Sequence, residues 1–298
     1  MNKGVLYAAG AYVLWGLLPI FWKALQQVGT IEILGHRIVW GVLVALALLV
    51  WRGRWRHLAA ALRDWRIVAT YTATALLLTA NWAVYIWGVN SGNIVETSLG
   101  YFINPLVNVV LGVLFLRERL RGGQAVAVAV AALGVLYLTA LYGSFPWIAL
   151  TLALTFGVYG LLRKTAALDS LEGFTLETML LSVPALGYLV WLEGSGDGAF
   201  GHAGPWITLL LVCSGALTAA PLLMFAAGAR RIPLITLGLL QYIAPTLQFT
   251  LGVLVYGEPL SAQRLAGFGL IWLALAIYSL EGVLRDKFRP ARALASKP

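Results

Sequence analysis

Ionisable side chains are scarce in this sequence, and three of them, Arg37, Glu96 and Glu177, stand inside or at the margin of long apolar runs. A charge in such a run is costly to place in lipid and is functional by default. Arg37 lies about six residues inside its run, about 9 Å deep at the rise of an α-helix, and its nearest acidic candidates are Glu32 and Glu96. The alternative is a long side chain that reaches back to the nearest interface. Glu177 has Lys164, Arg163 and Arg231 as candidate partners near the opposite face. It is also the candidate carrier of a coupled proton, and the three residues together form a gating or coupling set. His36, beside Arg37, is expected to be a packing neighbour.

Uncharged polar and aromatic residues supply a second kind of chemistry. The stretch LGYFINPLVNVVLGVLFLRERL at 99–120 recurs as LLQYIAPTLQFTLGVLVYGEPL at 239–260, and nine positions match without a gap, among them Leu99 with Leu239, Pro105 with Pro245, Gly112 with Gly252 and Glu118 with Glu258. Proline lacks an N–H and clashes with the carbonyl four residues back, so Pro105 and Pro245 are predicted to free the carbonyls of Tyr101 and Gln241 and to kink or break both helices. Such carbonyls are tolerated in a membrane where the segment lines a cavity or is buried in protein. Helical spacing puts Tyr101, Asn104 or Pro105, and Asn108 on one face, and Gln241, Pro245 and Gln248 on another. Helix packing alone is the bland account of either face, but two equivalent copies point to a shared site at a repeat interface. Trp15, Pro19 and Trp22 form a further face, as do Asn81, Tyr85 and Gly88 with Trp82 beside them. With Phe102 and Tyr242 these residues predict a largely aromatic pocket carrying a few amides, suited to an amphipathic organic molecule rather than a bare ion.

The elements that must hold these residues are membrane helices. Of 298 residues 60% are hydrophobic and only 11% charged, against about a quarter charged in soluble proteins. Ten apolar runs are expected, near 4–24, 31–51, 67–89, 95–116, 124–141, 147–162, 173–192, 206–228, 235–256 and 262–283. The first begins after Lys3 and lacks a small-residue cleavage pattern, so it is expected to be retained. With alternate crossings, every Lys and Arg except Lys23, Arg37 and Arg264 falls on the side of the termini, which predicts cytoplasmic termini. The expected fold is therefore an all-α polytopic membrane protein of ten transmembrane helices. Five spans per half make the repeat inverted: residues 1–143 form the first half, 144–284 the second, and 285–298 a basic cytoplasmic tail. The same 140-residue offset pairs Glu32 with Glu172, and a slip of one residue pairs Gly16 with Gly157 and Lys23 with Lys164.

Several function classes fall away. The single cysteine, Cys213, sits in an apolar run, which leaves neither a disulfide framework nor a cysteine-rich metal site. The net charge of +9 is spread between apolar runs as a topology signal, not gathered into a nucleic-acid surface. HExxH, GxSxG and Walker motifs are absent, so neither an enzyme nor a cofactor is expected. Without an ATP site, active transport would draw on a gradient or on exchange.

The segments GHRIVW, Asn81-Trp82, ETSLGYFINPLVNVVLG with Glu118, and TLGLLQYIAPT with YGE resemble the RarD branch of the drug/metabolite transporter superfamily, whose members carry two EamA domains. The resemblance runs over nearly the whole chain. It implies ten helices in an inverted five-plus-five repeat, a bacterial inner-membrane location and small-molecule export. The expectation is a secondary transporter exporting a small amphipathic metabolite or drug by alternating access, with a passive channel or facilitator as the alternative. Its partners would be that small molecule, the lipid bilayer and a coupling proton, with no nucleic acid.

Overall fold

The computed structural model describes residues 2–91, 93–256 and 262–288; Glu258 and residues 289–298 of the expected tail lie outside them. Twelve helices occupy the described residues: α1 (Lys3–Ala24), α2 (Thr30–Trp51), α3 (Trp55–Ala61), α4 (Trp65–Asn90), α5 (Ile94–Leu116), α6 (Gly122–Tyr142), α7 (Trp147–Thr165), α8 (Ser170–Ser195), α9 (Pro205–Ala229), α10 (Leu234–Gln241), α11 (Ile243–Leu254) and α12 (Ala262–Phe288). Eight segments of the described residues are long and apolar enough to span a bilayer, with α10 and α11 together forming one. The chain is thus a polytopic membrane protein. Two further expected spans are not among the eight: α7 carries Arg163 and Lys164 in its last turn, and α12 contains the shorter apolar stretch Leu265–Glu281. Leu114 and Val183, 68% and 76% exposed, present apolar surface for lipid.

Local chemistry sets the ends of these helices. The Asp169 side chain accepts from the backbone N–H of Leu171 and Glu172 while Glu172 accepts from the Asp169 N–H, a reciprocal cap that starts α8. Gly143, at φ +78°, ends α6 in the left-handed conformation that glycine adopts without a Cβ clash. The turn expected at 142–146 falls there. The basic stretch 52–66 holds an unforeseen short helix, α3, anchored by fully buried Leu58 against Leu49, Leu168 and Leu171.

The two proline helices behave differently. The α10–α11 helix is interrupted at Tyr242, three residues before Pro245, so the expected break is present. At Pro105 there is no such interruption, and α5 runs as one helix from Ile94 to Leu116. Gly238 of α10 packs so closely on α5 that an added Cβ would lie 2.6 Å from the Pro105 carbonyl oxygen. Close backbone packing holds the helix across that residue.

Packing follows the sequence repeat. If α1, α2, α4, α5 and α6 are exchanged with α7, α8, α9, α10–α11 and α12, the α1–α9 contact maps onto α7–α4, α2–α9 onto α8–α4, and α5–α7 onto α10–α11 with α1. The contacts of α2 with α8, α5 with α10 and α6 with α12 map onto themselves. Two pairs break the rule among the described residues: α7 packs on α9 while α1 and α4 make no comparable contact, and α8 packs on α9 while α2 and α4 make none.

Candidate functional site

The space between α1 and α4 is a cavity of about 380 Å³. From α1 it receives Tyr12, Trp15, Pro19 and Trp22, the helical face anticipated from spacing plus one residue a turn earlier. From α4 come Asn81, Trp82 and Tyr85, and from α5 Tyr101 and Asn104. The broken helix contributes Gln241, Pro245 and Gln248. Arg37 projects from α2, Phe156 from α7 and Thr218 from α9, and the cavity extends to Gln26 and Val28 in the α1–α2 connection.

Most of the predicted substrate residues therefore meet in one place, with two corrections. Tyr242 is fully buried in a separate cluster with Phe102 and Phe268, and its hydroxyl donates to the Phe102 carbonyl at 3.2 Å. Neighbouring residues on a helix point about 100° apart, so Gln241 and Tyr101 face the cavity while Tyr242 and Phe102 cannot. Asn108, one turn deeper than Asn104, is also fully buried outside the lining. Its Nδ2 donates to Gln241 Oε1 at 2.8 Å and to Asn104 Oδ1 at 3.2 Å, so it holds two of the amides that reach the cavity. Asn81 Nδ2 donates to the Leu152 carbonyl and to Thr155 Oγ1, and Gln248 Nε2 donates to the Trp15 carbonyl. These bonds leave the amide oxygens of Asn81 and Gln248 available to a ligand.

Arg37 does not pair with Glu32 or Glu96. Its guanidinium lies between two indoles, 4.7 Å from the Trp22 ring centroid and 5.0 Å from that of Trp82, and its Nε donates to Thr218 Oγ1 at 3.0 Å. Glu32 instead accepts from the backbone N–H of Ala199 and Phe200, at 2.7 and 3.2 Å. Glu96 accepts from the Ile148 N–H at 2.8 Å at the start of α7, where a carboxylate meets the positive end of the helix dipole. His36 stacks on Phe200 and accepts from Trp40 Nε1, the packing role expected of it.

Toward the end of the bundle where α1 begins and α7 and α9 finish, five rings close the cavity. Tyr12, Trp15, Phe156, Tyr159 and Phe225 stand with neighbouring centroids 5.3–6.3 Å apart, the spacing of favourable aromatic pairs. Beyond them Glu177, outside the cavity, lies 3.7 Å from Arg163 Nε, both side chains at most 2% exposed. Arg163 was one of its three candidate partners. Lys164 donates to the carbonyls of Ala229 and Ile232, and Glu118 accepts from the N–H groups of Leu234 and Ile235 at the start of α10.

Tyr12, Phe156, Thr218 and Phe225 were not foreseen. Tyr12 sits one turn before Trp15 on a face already identified, and Phe156 is Trp15's counterpart at the one-residue slip. Phe225 is Tyr85's counterpart at the 140-residue offset, whereas Thr218 carries no such signal.

Comparison with known proteins agrees with this architecture. Residues 2–140 match the EamA-like transporter family. The chain is 46% identical to Protein RarD of Streptomyces exfoliatus over 100% of its own length and 94% of that protein's. It is 44% identical to the uncharacterized transporter YojE of Bacillus subtilis, covering 95% of each chain. A solved crystal structure superposes with a TM-score of 0.71 at 20% identity, over 94% of this chain and 99% of that one, a likeness of fold. The chain is a membrane transporter and belongs to the EamA-like transporter family, in its RarD branch.

Proposed function

We propose that the protein is a secondary transporter that exports a small amphipathic organic molecule across the bacterial inner membrane by alternating access, with both termini in the cytoplasm. The observation that carries this reading is the unequal packing of two equivalent helix pairs. The pair α7–α9 is closed, whereas α1–α4 is parted by the cavity. An inverted repeat offers a second state of similar energy in which these roles exchange, so that α1 and α4 close over the cargo and α7 and α9 part. In this scheme the aromatic floor and the Arg163–Glu177 pair form the cytoplasmic gate, and the cavity stands open to the exterior. The floor also argues against the channel alternative, because a continuous pore has no place for five packed rings.

Counterflow in proteoliposomes tests the reading. External cargo should accelerate the exit of labelled internal cargo and should saturate. Fluxes that rise linearly with concentration, without stimulation from the opposite side, would establish a pore.

A further inference from the structure

Arg37 is the only charged side chain lining the cavity among the described residues, and no carboxylate among them lies within ion-pairing distance of it. A cation held in a membrane cavity is ordinarily balanced by an acid. Here the balance comes from the faces of Trp22 and Trp82 and from the Thr218 hydroxyl. The hydroxyl takes the Nε–H, which leaves the end-on pair of nitrogens, Nη1 and Nη2, without an acceptor among the described residues. That edge of a guanidinium matches the two oxygens of a carboxylate. The indoles fix the plane of the fork and are themselves apolar surface for the rest of a ligand. Tyr85 and Tyr101, whose rings meet edge to face at 6.0 Å, line the same cavity and offer phenolic O–H donors.

Resting on the transport reading of this cavity, we infer that its cargo is an organic anion: an aromatic or amphipathic acid whose carboxylate seats end-on against Arg37 and whose apolar body lies among Trp15, Trp22, Trp82 and Phe156. A cationic cargo is disfavoured by the same charge. A neutral one would leave the guanidinium edge unmatched.

The test uses three probes with one ring system: 2-naphthylacetate, 2-naphthylacetamide and 2-(2-naphthyl)ethylamine. Each is titrated calorimetrically into the full-length protein in nanodiscs, with empty nanodiscs subtracted. The anion should bind about ten- to a hundredfold more tightly than the amide, the range expected for a hydrogen bond to a charged group, and the amine should bind most weakly. Arg37→Gln should abolish the preference for the anion over the amide. Equal affinities for all three probes in the wild type would overturn the charge assignment while leaving the cavity as a binding site. A preference for the anion that survives Arg37→Gln would place the recognition elsewhere and overturn it as well. Binding of none of the three would overturn both this inference and the cavity's role. If Arg37→Gln does not fold, the wild-type comparison decides alone.

Discussion

Lys164 and Lys23 hold corresponding places at opposite ends of the bundle and are engaged differently. Lys164 donates to the carbonyls of Ala229 and Ile232, tying α7 to the end of α9. The Lys23 ammonium lies 3.6 Å from the ring centroid of Tyr256, just beyond α11. One lysine fastens the closed pair of helices and its counterpart stands by the open one.

Lys164→Ala should therefore loosen the closed end. In a Cys213→Ser background, a cysteine at fully buried Ala226 reports this through its reaction rate with a membrane-impermeant thiol reagent in nanodiscs. The rate should rise severalfold with Lys164→Ala and stay unchanged with Lys23→Ala. Equal rates in all three backgrounds would show that Lys164 does not restrain the gate.

The Arg163–Glu177 pair gives a thermodynamic prediction. Glu177→Gln leaves a buried guanidinium without its counter-charge, a change that costs about 3–5 kcal/mol. Replacing both partners with apolar residues of similar volume, Arg163→Met with Glu177→Leu, should recover most of that loss in chemical denaturation. Because Glu177 is closed off from the cavity by the ring cluster, Glu177→Gln should reduce gradient-driven transport and exchange together. Loss of driven transport with intact exchange would instead make Glu177 the carrier of the coupled proton.

Much of this site was legible because two kinds of signal agreed. Helical spacing chose the face of each helix, and the 140-residue offset brought those faces into two equivalent sets, which is why Trp15, Asn81, Tyr101, Asn104, Gln241 and Gln248 line one cavity. Spacing could not fix depth along a helix. Asn108 continues the correct face but falls a turn too far, behind Asn104. Nor could it rank partners: Arg37 had two acids nearby in sequence and took two indoles and a hydroxyl, because Glu32 and Glu96 were already committed to backbone N–H groups. The break at Tyr242 and its absence in α5 depend on packing around each proline, which the repeat itself treats alike.

The amides divide by the same geometry. Asn108→Ala removes the donor shared by Asn104 and Gln241 deep in the protein, so it should lower stability by about 1–3 kcal/mol as well as weaken ligand binding. Gln248→Ala gives up a single interhelical bond to the Trp15 carbonyl, of the kind that contributes about 0.6 kcal/mol on average in membranes. Its melting temperature should hardly move while its ligand affinity falls. Purified variants compared by thermal unfolding and by naphthylacetate titration separate the two effects. Unchanged affinity in both variants, and in Asn104→Ala and Gln241→Ala, would return all four amides to helix packing.

The last prediction concerns an unmet polar group in the floor. Among the described residues the buried Tyr12 hydroxyl has no hydrogen-bond partner, and Asn108 Oδ1, also in the interior, has none either. A buried group in that condition costs about 1–3 kcal/mol relative to a satisfied one. In the proposed cycle the floor opens toward the cytoplasm, where the hydroxyl of Tyr12 gains water or cargo. Its present orphaned state then raises the energy of the closed floor and narrows the gap to the open one. Tyr12→Phe removes the oxygen while keeping the ring in contact with Trp15 and Phe225. The variant should melt at a higher temperature than the wild type, with a gain of about 1 kcal/mol, and should export more slowly because its closed floor lies deeper. Thermal unfolding beside transport rate checks both halves of the expectation. A variant that is stabilised yet transports at the wild-type rate would show that opening the floor does not limit turnover, and one that is destabilised would show that the hydroxyl has a partner in the folded protein.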